Sequence, residues 1–480
     1  MLFNSIQFLI FFGAVYGLYL LVHKFFSHKA ENRLLLAASY VFYAAWDWRF
    51  LSLIFTSALI NFYCGGKIFS GQDERIKKRY LIYAVSANLL ILGFFKYFDF
   101  FAANLSAPLS ALGLDPGIGA LGIILPLGIS FYTFQAMTYA VDIYRGEIKP
   151  TGNFFDFALF VSFFPLVLAG PIERAKNLLP QITAQRTLSR DKFYEGCFLI
   201  FWGLVQKTVI ADNLGARLVD PVFNGGGATG IHVLIAVYAF AIQIYCDFAG
   251  YSNIARGLAK CLGIELTVNF NLPYFAANPK DFWRRWHISL SSWFKDYVYI
   301  PLGGNRRSRA RTTVNLLITM VLCGFWHGAA WTFLVWGAFH GILLAVYRLF
   351  SSISGKLPAL GNLLASKFFY AVRVFLFFNV ICLGWVIFRA SSLKEAWELG
   401  RKLFIGWDLF LTPHLAISLY YFAFFSACLF VVEFFQYRCH DLLYFYRARP
   451  AVRIIFYLVC FYLIIIYGWS ETQEFIYFQF

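Results

Sequence analysis

Charged residues are scarce in this sequence. Lys, Arg, Asp and Glu make up 14% of its 480 residues, whereas soluble globular proteins carry about 25%. Hydrophobic residues account for 60% and aromatic residues for 21%. This composition excludes an ordinary soluble domain and indicates a polytopic membrane protein, with Phe and Tyr at lipid-facing and interfacial positions.

Acidic residues are the scarcer of the two charge types. There are 25 of them against 41 basic residues, which gives a formal net charge of +16. In a soluble protein this excess would suggest nucleic acid as a partner. Here the basic residues cluster between apolar runs, as the cytoplasmic loops of membrane proteins do. We therefore expect membrane lipids, and no nucleic acid, to face this charge.

Several motifs that carry known chemistry are absent. The nine cysteines form no Cys-x-x-Cys pair, so neither a zinc site nor a disulfide framework is indicated, and no metal site is expected. Gly-x-Ser-x-Gly, His-Glu-x-x-His and the phosphate-binding lysine motif do not occur either. The sequence has no internal repeat, which disfavours a transporter built from two similar halves.

Long apolar runs take the place of these motifs. Crossing a bilayer requires about 20 residues of helix. The runs predict an all-α polytopic protein with about 11 to 13 transmembrane helices, in a single domain over residues 1–480. The candidate spans are 5–23, 33–46, 50–67, 80–97, 119–141, 193–211, 230–252, 314–327, 329–349, 368–388, 413–433 and 452–469.

Basic residues predict which side of the membrane each loop occupies. Lys24, Lys29 and Arg33 follow the first run, which puts that loop inside and the N-terminus outside. Alternation then puts the C-terminus outside too. The run Phe154–Gly170 has basic residues on both flanks and Pro165 within it. We predict a re-entrant hairpin here, because a single crossing cannot have both flanks inside.

One histidine, His327, lies inside the apolar run 314–347, with Trp326 before it and Trp331 shortly after. An ionisable group at bilayer depth is costly, so it is a functional hypothesis by default. Packing through a hydrogen bond between helices is the simpler alternative. Histidine titrates near neutral pH and suits a general base. The two tryptophans are predicted to shield such a site from water.

The stretch 278–293 interleaves three tryptophans with basic residues and contains His287, the best second catalytic candidate. An interfacial helix is the simpler interpretation of this pattern. The next turn, 299–307, ends in two arginines; it suits either the phosphates of an anionic donor or a membrane anchor. Further candidates for donor binding or for lining a tunnel are Trp283, Arg284, Arg285, Trp286, Ser289, Trp293, Gln243, Asp247 and Tyr251.

Three segments resemble the membrane-bound O-acyltransferase family: Asp281–Leu290, Tyr299–Gly304 and Gly324–Gly328. They are most similar to its bacterial branch, which contains alginate O-acetyltransferase, its peptidoglycan and cellulose relatives, and the D-alanyl transfer protein of teichoic acids. Pro126–Gln135 and Asp247–Ser252 agree with this assignment. The resemblance covers most of residues 120–390 and leaves 1–117 and 391–480 as peripheral helices.

The resemblance implies that His327 is the family's essential histidine and His287 its second recurring polar position. It implies a ring of helices around a central tunnel in the inner membrane of a bacterium. The donor would be cytoplasmic acetyl-coenzyme A or an acyl carrier thioester, with no tightly bound cofactor. The acyl group would pass outward to a periplasmic O-acetyltransferase and an envelope polysaccharide such as alginate or peptidoglycan.

Two alternatives remain from the sequence. The same fold would serve D-alanyl transfer to teichoic acid, or the acylation of a lipid or protein. A transporter, whose intramembrane polar residues bind a solute, is the alternative from a different class.

Overall fold

The computed structural model describes residues 1–113, 120–168, 170–225, 228–354, 366–408, 410–468 and 475–476, and this part of the chain contains helices and no strand. An all-α fold is therefore confirmed. The chain divides into two compact units, Met1–Phe201 with Tyr251–Thr267 and Trp202–Gly250 with Val268–Phe480. The predicted single domain over 1–480 stays a prediction.

Nine helices in the described part of the chain are long and apolar enough to cross a membrane, so this is a multi-pass membrane protein. The predicted spans 33–46 and 50–67 fall in one helical stretch, His28–Ser70. The predicted span 119–141 is a helix of only 16 residues, Ile129–Tyr144. Residue 119 and the C-terminal residues 477–480 lie outside the described residues.

In the first unit, several helices have an N-terminus that is capped by a short polar side chain. Ser5 Oγ, for example, accepts a hydrogen bond of 3.2 Å from the amide of Phe8, which satisfies one of the free donors at the start of the first helix. The helices are Ile6–Phe25, His28–Asp47, Trp48–Phe50, Leu51–Ser70, Glu74–Leu92, Gly93–Tyr97, Phe98–Ala111, Ile129–Tyr144, Phe154–Ser162, Phe164–Val167, Ala175–Thr183 and Arg190–Leu204, whose last turn belongs to the second unit.

The predicted hairpin run is a broken helix. Phe154–Ser162 has nine residues, and Phe164–Val167 follows after a break at Phe163. Nine residues rise about 14 Å, too little to cross a bilayer. One backbone donor at the break is satisfied by a buried side chain, because Ser39 Oγ accepts from the Phe164 amide at 3.1 Å. The interruption is confirmed, and its return to the same membrane face stays a prediction.

The second unit holds both predicted catalytic histidines. Its helices are Val205–Ala211, Asp212–Leu214, Gly215–Val219, Asp220–Phe223, Gly230–Cys261 as far as Gly250, Pro273–Phe275, Pro279–Phe282, Ile288–Phe294, Lys295–Tyr299, Arg309–His327, Trp331–Ser354, Lys367–Arg389, Leu393–Lys402, Pro413–Cys439, Tyr444–Arg447 and Pro450–Tyr467.

A hairpin of two helices positions His327. Arg309–His327 and Trp331–Ser354 pack closely where Gly324 faces Gly337. A Cβ atom at Gly337 would overlap the carbonyl oxygen of Met320. Glycine is needed at this crossing because only a residue without a side chain allows backbones to approach so closely.

Candidate active site

His327 is the last residue of the helix Arg309–His327. Its side chain is buried, with 2% of the residue exposed. Aromatic rings surround it: the ring centroids of Trp326 and Trp336 each lie 5.1 Å from that of His327, and the centroid of Phe388 lies 5.4 Å away. The imidazole therefore lies in a shell of aromatic side chains.

His287 faces the same shell from a different element. It precedes the helix Ile288–Phe294, has a φ of +43°, and is fully buried. A left-handed conformation at a residue other than glycine costs about 1–3 kcal/mol and is concentrated at functional sites. The ring centroids of His287 and His327 are 6.4 Å apart, and that of Trp326 lies 6.0 Å from His287. The structure thus brings the two predicted histidines together.

Asn269 fixes the orientation of the His287 ring. Its side-chain oxygen Oδ1 lies 3.0 Å from His287 Nδ1 and accepts hydrogen bonds from the Ser289 hydroxyl at 2.9 Å and the Ser289 amide at 3.3 Å. A backbone N–H can only donate, so the atom facing it must be the oxygen of the amide. His287 Nδ1 must then carry the proton that it shares with this oxygen.

The opposite nitrogen of His287, Nε2, therefore carries a lone pair in the neutral ring. It is buried and has no hydrogen-bond partner among the residues that the structure describes. Burial lowers the pKa of His287 to about 3, so the ring is neutral near pH 7. The arrangement offers an unoccupied proton acceptor inside the aromatic shell.

A third histidine, His340, belongs to this cluster and was missed by sequence reasoning. Its ring centroid lies 4.6 Å from that of Trp336 and 5.1 Å from that of Trp283. The residue is fully buried, and neither ring nitrogen has a hydrogen-bond partner within the described ranges. His340 lies 13 residues beyond His327 in the next helix, so only the fold of the hairpin, and no local motif, brings it here.

Trp336 and Trp385 complete the shell and were also missed. Their rings stack with centroids 5.9 Å apart, and both residues are buried. Trp385 packs in turn against the predicted Trp286, at 4.8 Å between centroids. In sequence Trp336 looks like an ordinary apolar position of a membrane helix. Trp385 lies in the segment Gly384–Ala390, which also resembles the family, but nothing in that segment indicates contact with the histidines.

The structure places part of the predicted set in or beside the shell. Trp283 contacts His340 and Trp336, and Trp286 contacts Trp385. Ser289 donates a hydrogen bond to Asn269, and the ring of Trp326 contacts both predicted histidines.

The prediction for Trp331 is wrong. It was predicted to shield His327, but it is 55% exposed. It begins the helix that follows the turn after His327, and the interior of the hairpin is filled by Trp336, five residues later. Trp336 has the shielding position that was assigned to Trp331.

Other predicted residues lie outside the shell. Arg284 is exposed, and Arg285 pairs with Asp281 at 3.0 Å. Trp293 packs on Phe294 and Tyr297 at centroid distances of 5.4 and 5.1 Å.

The remaining three predicted residues have separate surroundings. Gln243 is buried in the helix Gly230–Cys261, and its Oε1 has no hydrogen-bond partner in the described part of the chain. Asp247 pairs with Lys207 at 2.7 Å, and Lys207 also pairs with Asp212 at 2.8 Å. Tyr251 belongs to the first unit and packs on Phe3.

Comparison with known proteins agrees with the resemblance seen in the sequence motifs. The sequence profile of the membrane-bound O-acyltransferase (MBOAT) family matches residues 40–387. The probable alginate O-acetylase AlgI of Pseudomonas aeruginosa is 42% identical over 406 residues, which cover 84% of this chain and 75% of that protein. The peptidoglycan O-acetyltransferase of Helicobacter pylori is 38% identical over 390 residues, covering 75% of this chain and 71% of the relative.

A more distant relative has a different acyl group in its name. The teichoic acid D-alanyltransferase of Streptococcus thermophilus is 31% identical over 312 residues, which cover 60% of this chain and 74% of that protein. The matched range of the family profile includes all three histidines of the buried cluster.

Proposed function

We propose that this chain moves an acetyl group from a cytoplasmic thioester toward a polysaccharide of the cell envelope. The proposal starts from the fact that the chain belongs to the membrane-bound O-acyltransferase family and is an O-acyltransferase. The observation that carries the proposal is the meeting of His287 and His327 in one buried aromatic shell, with centroids 6.4 Å apart. A shell of this kind excludes bulk water, which would otherwise hydrolyse an activated donor.

In the proposed reaction His327 acts as the general base. Its neutral imidazole takes the proton of a hydroxyl group while the hydroxyl oxygen attacks the carbonyl carbon of the thioester. The tetrahedral intermediate then expels the thiolate, which recovers a proton from the imidazolium. The products are an O-acetyl ester and a free thiol, and the histidine returns to its neutral form.

His287 has the second place in this scheme. Its pKa of about 3 keeps the ring neutral, and its Nε2 lone pair is held in place by Asn269 on the other side of the ring. We propose that Nε2 accepts a hydrogen bond from a neighbouring hydroxyl group of the acceptor and so orients the attacking hydroxyl, whose own proton goes to His327.

Acetyl is favoured as the acyl group because two of the relatives named above are an alginate O-acetylase and a peptidoglycan O-acetyltransferase, at 42% and 38% identity. We propose an alginate-like or peptidoglycan-like polymer as the final acceptor, reached through a separate periplasmic O-acetyltransferase. Transfer of D-alanine to teichoic acid is the second candidate, because a relative with that name is 31% identical. The bacterial inner membrane is the proposed location.

Inverted membrane vesicles test this proposal. Their cytoplasmic face is outside, so acetyl-coenzyme A labelled in the acetyl group reaches that face without transport. We expect the label to enter acceptor material in the vesicle lumen with the wild-type protein and to stay out with His327→Ala. Labelling that requires the donor in the lumen would contradict the proposed direction, and transfer of D-alanine but not acetyl would favour the second candidate.

A further inference from the structure

The turn between Tyr299 and Arg307 forms a basic cavity near the N-terminal end of the helix that ends at His327. The cavity has a volume of about 520 Å³, and Lys295, Arg306 and Arg307 line it together with Tyr299 and Asn305. All three basic residues are exposed. No acidic residue is among the described residues that line the cavity, so its lining side chains carry three positive charges.

These cations are also unpaired. Within the described ranges, none of the side chains of Lys295, Arg306 and Arg307 forms an ion pair. Paired arginines occur nearby, since Arg285 binds Asp281 at 3.0 Å. Three unpaired cations around one concavity repel one another, and an anion bound between them would relieve that repulsion.

The turn has a defined backbone conformation, which distinguishes it from a loose basic loop. Gly303 and Gly304 have φ angles of +108° and +54°, a region that favours glycine. The Gly304 amide donates to the Tyr299 carbonyl at 2.9 Å, and the Arg306 amide donates to the Gly303 carbonyl at 3.1 Å. These bonds hold the chain folded back on itself.

Asn315 ties the turn to the helix of His327. This residue is fully buried, and its side-chain amide donates to the Gly304 carbonyl at 3.1 Å. The side chain of Arg307 lies over Gly303, where an added Cβ atom would stand 3.0 Å from its Cγ and 3.5 Å from its Nε. Arg307 is therefore positioned by the turn rather than free to extend from it.

We infer that this cavity binds a phosphate group. Guanidinium groups pair with phosphate oxygens through two parallel hydrogen bonds, and lysine adds a compact charge. The 19 residues of the helix Arg309–His327 rise about 28 Å, so a ligand in the cavity cannot react there with His327. The phosphate must belong to the remote end of a long donor or to a lipid headgroup.

Two sources share this chemistry. One is the phosphate of the thioester donor, coenzyme A or a phosphopantetheine carrier, and this assignment rests on the proposed function. The other is the headgroup of an anionic phospholipid. The alternative is a membrane anchor that depends only on net charge. Such an anchor would have no specific site for a phosphate group.

The test compares two variants with the same loss of charge. R306Q/R307Q removes two cavity arginines, whereas R309Q/R311Q removes two exposed arginines from the start of the following helix, which do not line the cavity. Each is reconstituted in phosphatidylcholine vesicles and assayed with acetyl-coenzyme A and with the acetyl thioester of N-acetylcysteamine, which has no phosphate.

For the donor as source, we expect R306Q/R307Q to raise the KM for acetyl-coenzyme A about tenfold, with kcat and the reaction with the phosphate-free thioester unchanged. R309Q/R311Q should stay within about twofold of the wild type. If the phosphate belongs to a lipid headgroup, we expect the KM for acetyl-coenzyme A to be unchanged. Phosphatidylglycerol binding, measured by mass spectrometry, should then fall for R306Q/R307Q alone. If the two variants behave equally both in the KM for acetyl-coenzyme A and in phosphatidylglycerol binding, the inference is overturned.

Direct binding of coenzyme A separates this inference from the proposed function. If the wild type transfers no acetyl group from either donor, the proposed function fails, and the dissociation constant of coenzyme A still tests the cavity without turnover. Should R306Q/R307Q fail to insert, the single variants R306Q and R307Q replace it, with R309Q and R311Q as their controls.

Discussion

At the scale of single residues, the site depends on how the buried imidazole of His287 is held beside that of His327. His287 has an unfavourable backbone conformation, with a φ of +43°, and Asn269 holds its Nδ1–H through a hydrogen bond of 3.0 Å. Local strain that the surrounding structure maintains is a mark of function. Asn269 is therefore a positioning residue for His287.

Replacing Asn269 should separate positioning from packing. We expect Asn269→Ala to lower kcat about 100-fold with KM little changed, because a misoriented group costs about that much. Asn269→Asp keeps the acceptor oxygen and should recover most of the rate. Its carboxylate also raises the pKa of His287, so the acid limb of the pH–rate profile should move upward. If both variants lost kcat equally and their pH–rate profiles were not shifted, Asn269 would have a packing role only.

Proton linkage gives a second residue-scale prediction. The pKa of His287 is about 3 in the folded protein against an ordinary value of 6.5, so the unfolded chain binds one more proton there between these pH values. Folded stability therefore falls as pH drops through this window and is regained as it rises. We expect the Tm loss between pH 7 and pH 5 to be smaller in His287→Asn than in the wild type. An equal loss would contradict this.

His287 and His327 could be predicted from the sequence because each lies in a polar and aromatic motif that stands out from apolar surroundings. Asn269 and His340 could not. Asn269 lies 18 residues before His287 and reaches it only through a folded loop. Trp331 was assigned wrongly because closeness in sequence suggested closeness in space, whereas the helix starting there turns its ring outward.

At the scale of elements, the hairpin of Arg309–His327 and Trp331–Ser354 sets the position of His327. Gly324 and Gly337 meet at the crossing, and a Cβ at Gly324 would overlap the Phe333 carbonyl oxygen. Since backbone rather than a flexible side chain blocks each glycine, the helices must separate to admit a methyl group. The sequence predicted both helices from their apolar runs, but it could not predict their contact.

A pair of glycine variants tests this crossing. Gly337→Ala should destabilise the protein by about 1–3 kcal/mol through overpacking and lower activity by displacing His327. Gly400→Ala is the control, because no atom lies within 4 Å of an added Cβ there and alanine favours a helix over glycine by about 1 kcal/mol. Thermal unfolding followed by size-exclusion chromatography measures both. If Gly337→Ala were as stable and active as Gly400→Ala, the crossing would not position the site.

At the scale of the whole molecule, membrane topology links the site to its substrates. The apolar runs predicted a multi-pass protein, which the nine long apolar helices in the described residues confirm. Apolar runs alone could not distinguish a helix that crosses the membrane from a broken helix such as Phe154–Ser162 with Phe164–Val167. The basic residues on both flanks of this run made the distinction. The side of each loop and the central tunnel stay predictions.

Accessibility labelling tests the predicted sides. An epitope at the N-terminus should bind antibody on intact spheroplasts, whereas one inserted in the loop 71–73 should bind only after permeabilisation, because basic residues hold that loop inside. Arg75, Lys77 and Arg79 lie in the first two turns of the helix that follows this loop. The reverse pattern would invert the whole assignment and put the basic turn 299–307 on the outer side.

The central claim is that His327 removes the proton from the acceptor hydroxyl. The most direct measurement is the initial rate of acetyl transfer by His327→Ala, compared with the wild type at equal amounts of inserted, monodisperse protein. We predict a loss of at least about 100-fold, as expected when a general base is removed, with coenzyme A binding unchanged. A variant that folds and still transfers acetyl at the wild-type rate would contradict the account.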